Sequence, residues 1–127
     1  DFQNKSYVIG RGFVDDVFSE INDSDLSFSV TSNAFGFRSR LCEALSLGAC
    51  ILTSKFDQVS IPFLKDNYNC YIVDDLKKTG SRIIEIIENK KNNEIIKKNA
   101  RSSFLNHLSY YSAGKKYEEL ISSNYHG

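Results

Sequence analysis

Phe35-Gly36-Phe37-Arg38-Ser39-Arg40-Leu41-Cys42-Glu43-Ala44-Leu45-Ser46-Leu47-Gly48, running on into Ala49-Cys50-Ile51-Leu52-Thr53-Ser54, decides the fold. Leu41, Ala44, Leu45 and Gly48 share one helical face, so the spacing predicts a helix over about 38–47. Gly48 stands where a C-terminal cap belongs, and the apolar run that follows is short enough for a buried strand. A glycine turn opening a helix bares backbone N–H groups that can seat a phosphate. Glu43 lies partway along, and helical side chains tilt back toward the N-terminus, toward whatever the turn holds. The arrangement suits a nucleoside diphosphate, with the carboxylate on ribose hydroxyls.

Working outward, residues 6–10 combine aromatic and β-branched side chains and end on glycine, which predicts a strand. Asp15 or Asp16 can cap a short helix carrying Val17, Phe18 and Ile21. Residues 26–31 alternate apolar and polar side chains, and residues 70–73 follow a polar turn at 65–69, so both segments predict strands. Helical spacing then governs 81–89, 93–108 and 110–122. Strands alternating with helices predict an α/β fold: a parallel sheet flanked by helices, with a helical C-terminal region. Ligands of such sheets sit beyond the carboxyl ends of the strands, so the turns at 11–14 and 32–38 are expected on that edge.

The chain of 127 residues is 41% hydrophobic and 25% charged, which fits one globular domain, 1–127. Sixteen Lys and Arg balance sixteen Asp and Glu, so overall charge gives no case for nucleic acid. No apolar run approaches the ~20 residues of a bilayer span. Cys42, Cys50 and Cys70 form no C-x-x-C pair and read as free, mostly buried thiols of a reducing compartment, the cytoplasm. The sequence opens at Asp1 and contains no methionine, which reads as a piece of a longer protein.

Gly12-Phe13-Val14-Asp15-Asp16, Val30-Thr31-Ser32, Gly36-Phe37, Glu43-Ala44-Leu45-Ser46-Leu47-Gly48, the run from Lys65 to Val73 and Asn99-Ala100-Arg101 follow one another in a telling order. In that order they resemble the donor-binding, C-terminal domain of retaining GT-B glycosyltransferases (the glycosyl transferases group 1 type). The likeness covers nearly the whole chain, roughly 7–121, and corresponds to the later half of that domain. It implies a Rossmann-like sheet, with 1–75 as the nucleotide-sugar-binding core and 76–127 as C-terminal helices. It implies transfer of a hexose from a nucleotide-diphosphate sugar to a glycan or lipid-linked acceptor, as in polysaccharide biosynthesis. The acceptor would bind a missing N-terminal domain, and peripheral membrane association would follow from lipid-linked acceptors. No metal or cofactor is implied, and this piece alone is expected to be inactive.

By the same resemblance Glu43 accepts hydrogen bonds from both ribose hydroxyls, which one carboxylate can do. The residues alone leave open a solvated glutamate paired with Arg40. Gly36, Phe37 and Arg38 would offer main-chain N–H groups to the sugar and distal phosphate, and Arg38 and Arg40 would add charge-assisted contacts. Arg11, Gly12, Phe13 and Val14 correspond to main-chain contacts with the base, the Phe13 ring itself being read as core. No proton-transfer catalyst is implied.

One departure stands out. The family's acidic pair spans glutamate, seven residues, glutamate, and Phe35 occupies the first position. Phenylalanine cannot bind the donor sugar's hydroxyls, so a second reading is a non-catalytic nucleotide- or sugar-binding module, or a degenerate subunit. Asp23-Ser24-Asp25 is formally a D-x-D metal motif but reads as a turn, and Asp15-Asp16 and Asp74-Asp75 read as caps and loops.

Overall fold

The computed structural model describes residues 7–33, 36 and 38–125. Three strands, β1 (Ser27–Ser29), β2 (Ile51–Ser54) and β3 (Tyr71–Val73), form a sheet in that spatial order with both pairings parallel. Among the described residues five helices accompany them: α1 (Val17–Asn22), α2 (Ser39–Ser46), α3 (Thr79–Glu88), α4 (Lys90–His107) and α5 (Tyr110–Tyr125). Short 3-10 helices at Lys55–Gln58 and Leu76–Lys78 follow β2 and β3. The fold is α/β and mostly helical, built on a small parallel sheet.

The central strand explains the packing. All four residues of β2 are buried, as a strand covered on both faces requires. Side chains alternate across a strand, so Ala49 and Ile51 enter one cluster while Cys50 and Leu52 enter the other. The first cluster holds the apolar face of α2 (Leu41, Ala44, Leu45) with Ile61, Leu64, Cys70 and Ala100. The second joins Tyr71 and Val73 to Ile86 of α3 and Ile96 of α4. Helix α4 thus serves both clusters, and the segments before and after residue 75 share one core.

Capping follows the sequence. Asp16 accepts the Ser19 N–H and opens α1, and Asp75 accepts the Lys77 N–H before the second 3-10 helix. Asp23 closes α1, and the Ser24 hydroxyl donates to the Ile21 carbonyl at 2.7 Å, so this D-x-D is a helix-ending turn. At the far end of α2, Gly48 has φ +63°. Its N–H donates to Leu45 O and that of Ala49 to Ala44 O, both at 3.0 Å, a Schellman closure. Buried Asn69 binds the 65–69 turn to α4: it accepts from Lys65 N–H and donates to Phe63 O and Ser103 Oγ.

Three expectations fail. Residues 7–10 form no strand, and Tyr7 and Ile9 are 77% and 78% exposed. β-Propensity needs a neighbouring ladder, and among the described residues β1 is an edge strand paired only with β2. Because no strand precedes it among the described residues, a second expectation fails with the first: the 11–14 turn does not follow a strand end there but lies beside α1. Phe13 is not core but 92% exposed, since the turn at Gly12 (φ +61°) and the cap of α1 leave this segment outside both clusters. The described residues of the 32–38 turn (32, 33, 36 and 38) do follow the carboxyl end of β1, as their position in the sequence predicts.

The three cysteines are free, with Cys50 and Cys70 buried and Cys42 half-buried. Burial pushes the Cys50 thiol up to about 11 and the Cys70 thiol up to about 12. A thiol raised in the folded state gives up its proton more readily when unfolded, so its stabilising contribution is complete below the unfolded value and is lost above it. We therefore expect stability to fall as pH rises from 9.0 toward about 11, by up to ~1.4 kcal/mol per pH unit for each thiol. Urea midpoints of the native chain and a Cys50→Ala, Cys70→Ala variant across that range measure the effect. Equal slopes would refute it.

Candidate functional site at the carboxyl end of the sheet

The chain leaves β1 at Ser29 and enters α2 through a loop whose glycine, Gly36, has φ +47°, a conformation other residues adopt at a cost. Arg38 is the N-cap residue of α2, and its own side chain makes no capping hydrogen bond there. The leading amides of a helix lack an acceptor one turn back. Here the Leu41 and Cys42 N–H groups donate to Arg38 O at 3.1 and 3.3 Å, which leaves those of Ser39 and Arg40 as the donors of this turn among the described residues.

Arg38 does not hang free. Its guanidinium donates to Ser29 Oγ at the end of β1, and its Nη1 lies 3.7 Å from Asp57 Oδ1. Asp57, in the 3-10 helix after β2, is only 3% exposed, and its other oxygen accepts from the Thr53 hydroxyl. Thr31 and Ser54 complete the polar cluster, their hydroxyls 3.4 Å apart. Among the described residues every buried side-chain nitrogen and oxygen has a hydrogen-bond partner. The cluster is a finished polar seam joining the ends of β1 and β2.

Glu43 lies farther along α2, its Oε2 3.4 Å from Arg40 Nη1, with both side chains partly exposed. An ion pair of this kind is worth about 0.3–0.5 kcal/mol. Hydrogen bonds from ligand hydroxyls to a carboxylate are worth about 1.5–3 kcal/mol, so the Arg40 contact would give way to them.

The sequence-derived residues fall into two groups. Gly36, Arg38, Arg40 and Glu43 belong to the entry and first turns of α2. Arg11, Phe13 and Val14 line an open hollow of about 580 Å³ with Asp15, Asp16 and Glu20, beside Gly12 and the start of α1. Arg11 is engaged there by Glu20 at 2.7 Å. Among the described residues no hydrogen bond or ion pair joins Arg11–Val14 to the α2 group. Phe37 lies outside the described residues, as does Phe35. Between α1, β1 and α2 opens a second hollow of about 520 Å³, walled by Val17, Ile21, Leu26, Phe28 and Leu41, with Glu20 and Arg40 among its polar lining.

Sequence reasoning missed Asp57, Thr53 and Ser29. A signal existed: Thr53 and Ser54 end an otherwise apolar buried strand, and polar residues with no solvent access must find partners close by. Nothing in the spacing said that the partner of Asp57 would be an arginine nineteen positions earlier. Among the described residues no helix is long and apolar enough to cross a membrane. No protein-family model matches the chain, and no curated protein matches it.

Proposed function

We propose that the chain is the donor-binding part of a cytoplasmic glycosyltransferase of the GT-B type, which transfers a hexose from a nucleotide sugar to a glycan or lipid-linked acceptor. One observation carries the reading: a positive-φ glycine precedes a helix that follows the carboxyl end of β1, with an anchored arginine as its N-cap residue that makes no side-chain capping bond and a carboxylate farther along. Phosphate at the amides, Arg38 beside it and Glu43 on the ribose use these groups in the order in which a nucleoside diphosphate presents its own. Departure of the diphosphate builds negative charge, and fixed amide dipoles with a held guanidinium stabilise that charge without reorganising.

The test is protein-observed NMR titration of the chain with UDP, GDP and ADP, for the wild type and Glu43→Ala. Shifts at Gly12–Val14 and Gly36–Glu43 are expected with one base preferred. Glu43→Ala should weaken binding roughly tenfold or more, the loss of hydrogen bonds to a charged group. Absence of shifts with all three nucleotides overturns the reading.

Phe35 favours a second reading, a nucleotide- or sugar-binding module without transfer. Binding by the titration above, together with no sugar transfer by the full-length gene product, would select it.

A further inference from the structure

We propose that Ser29 and Asp57 are positioning residues that hold the Arg38 guanidinium ready for the phosphate of the ligand; this rests on the donor-site reading above. Asp57 is too buried to meet a ligand itself, so any part it plays in binding passes through another side chain. The candidate is Arg38, which lies against both Asp57 and Ser29. Asp57 is in turn held by the Thr53 hydroxyl, and Thr53 is fully buried in the central strand. A chain of contacts thus runs from the sheet, through Thr53 and Asp57, to a guanidinium at the entry of α2.

The purpose of such an anchor follows from side-chain entropy. An arginine is rich in rotamers, and a free one loses that freedom when it grips an anion. Arg38 has already lost much of it. Its guanidinium carries five N–H donors, and the contacts with Ser29 and Asp57 leave others for a ligand. The charge balance sharpens the point: Arg38 and Asp57 together are neutral, so the pair adds little net attraction for a diphosphate. What it supplies is direction. Ser29 makes the cleanest probe, because removing its hydroxyl releases the guanidinium without altering any charge.

A double-mutant cycle tests this, with binding of UDP, GDP and ADP each measured against its nucleoside, so that the ratio isolates the contribution of the phosphates. Arg38→Lys keeps the cation beside Asp57 but removes the fork, and should reduce the phosphate contribution about tenfold. Ser29→Ala should reduce it several-fold. In the Ser29→Ala background Arg38→Lys should then cost much less than in the wild type, and Asp57→Asn should likewise diminish the Arg38→Lys effect. Nucleoside affinity should stay unchanged throughout, which a general loosening of the fold would not permit. If the effects of Ser29→Ala and Arg38→Lys on the diphosphate simply multiply, or nucleoside binding falls in parallel, the positioning role is overturned while the donor site stands. If the wild type binds no diphosphate more tightly than its nucleoside, the donor-site reading fails, and the positioning role with it.

Discussion

Arg38→Ala is expected to lower folding stability by about 3 kcal/mol, with most of that recovered when Asp57→Asn is added. Asp57 is 3% exposed and its partners are the Thr53 hydroxyl and the Arg38 guanidinium. Removing one member of a buried pair leaves a charge without water or counter-ion, a loss of about 3–5 kcal/mol when both are fully enclosed. The lower end applies because Arg38 keeps about a quarter of its surface exposed and its nearest contact with Asp57 is 3.7 Å. Loss of the Ser29 bond adds less, since that hydroxyl can turn to water. The neutral amide of asparagine needs no cation, so the double variant should unfold at a urea concentration close to that of Asp57→Asn alone. A double variant whose loss equals the sum of the two single losses would show that the residues are not coupled.

This pair also shows what the sequence could and could not say. Helix α2, its glycine cap and strand β2 are local patterns, and each was legible: three apolar positions on one face, a glycine one turn later, an apolar run bounded by polar residues. Asp16 and Asp75 were legible as caps for the same reason, because a cap bonds to an amide two or three residues away. Residues 7–10 misled because strand character resides in a neighbour as much as in the segment. Among the described residues no strand pairs with this segment. The Phe13 ring misled in the same way, since an aromatic in an apolar tripeptide is core only if a core reaches it. Of the candidate site, the glycine turn, Arg38 and Glu43 are the residues that their order in the sequence singles out. The contact between Arg38 and Asp57 could not, because parallel strands bring their carboxyl ends together across long stretches of chain.

Gly48→Val is the second large loss we expect, about 3–4 kcal/mol, and two separate causes contribute. The first is the backbone. Gly48 has φ +63°, a region that costs an L-residue about 1–2 kcal/mol and a β-branched one more. The second is space. A Cβ on Gly48 would lie 3.2 Å from the Lys97 carbonyl oxygen and 3.4 Å from Arg101 Cβ, so two further methyl groups must push α4 away from α2. Overpacking of that kind costs about 1–3 kcal/mol. Asparagine tolerates positive φ but still carries a Cβ, and alanine meets both difficulties in smaller measure. The expected order of melting temperatures is therefore glycine, asparagine, alanine, valine. An alanine variant as stable as the wild type would refute both causes at once. Helix α2 has eight residues and is roughly 12 Å long, so this cap lies at the opposite end from Arg38. Below its melting temperature the Gly48→Val variant should consequently keep the phosphate preference proposed for the wild type. Loss of stability without loss of that preference would separate the helix's anchorage from the binding proposed at its other end.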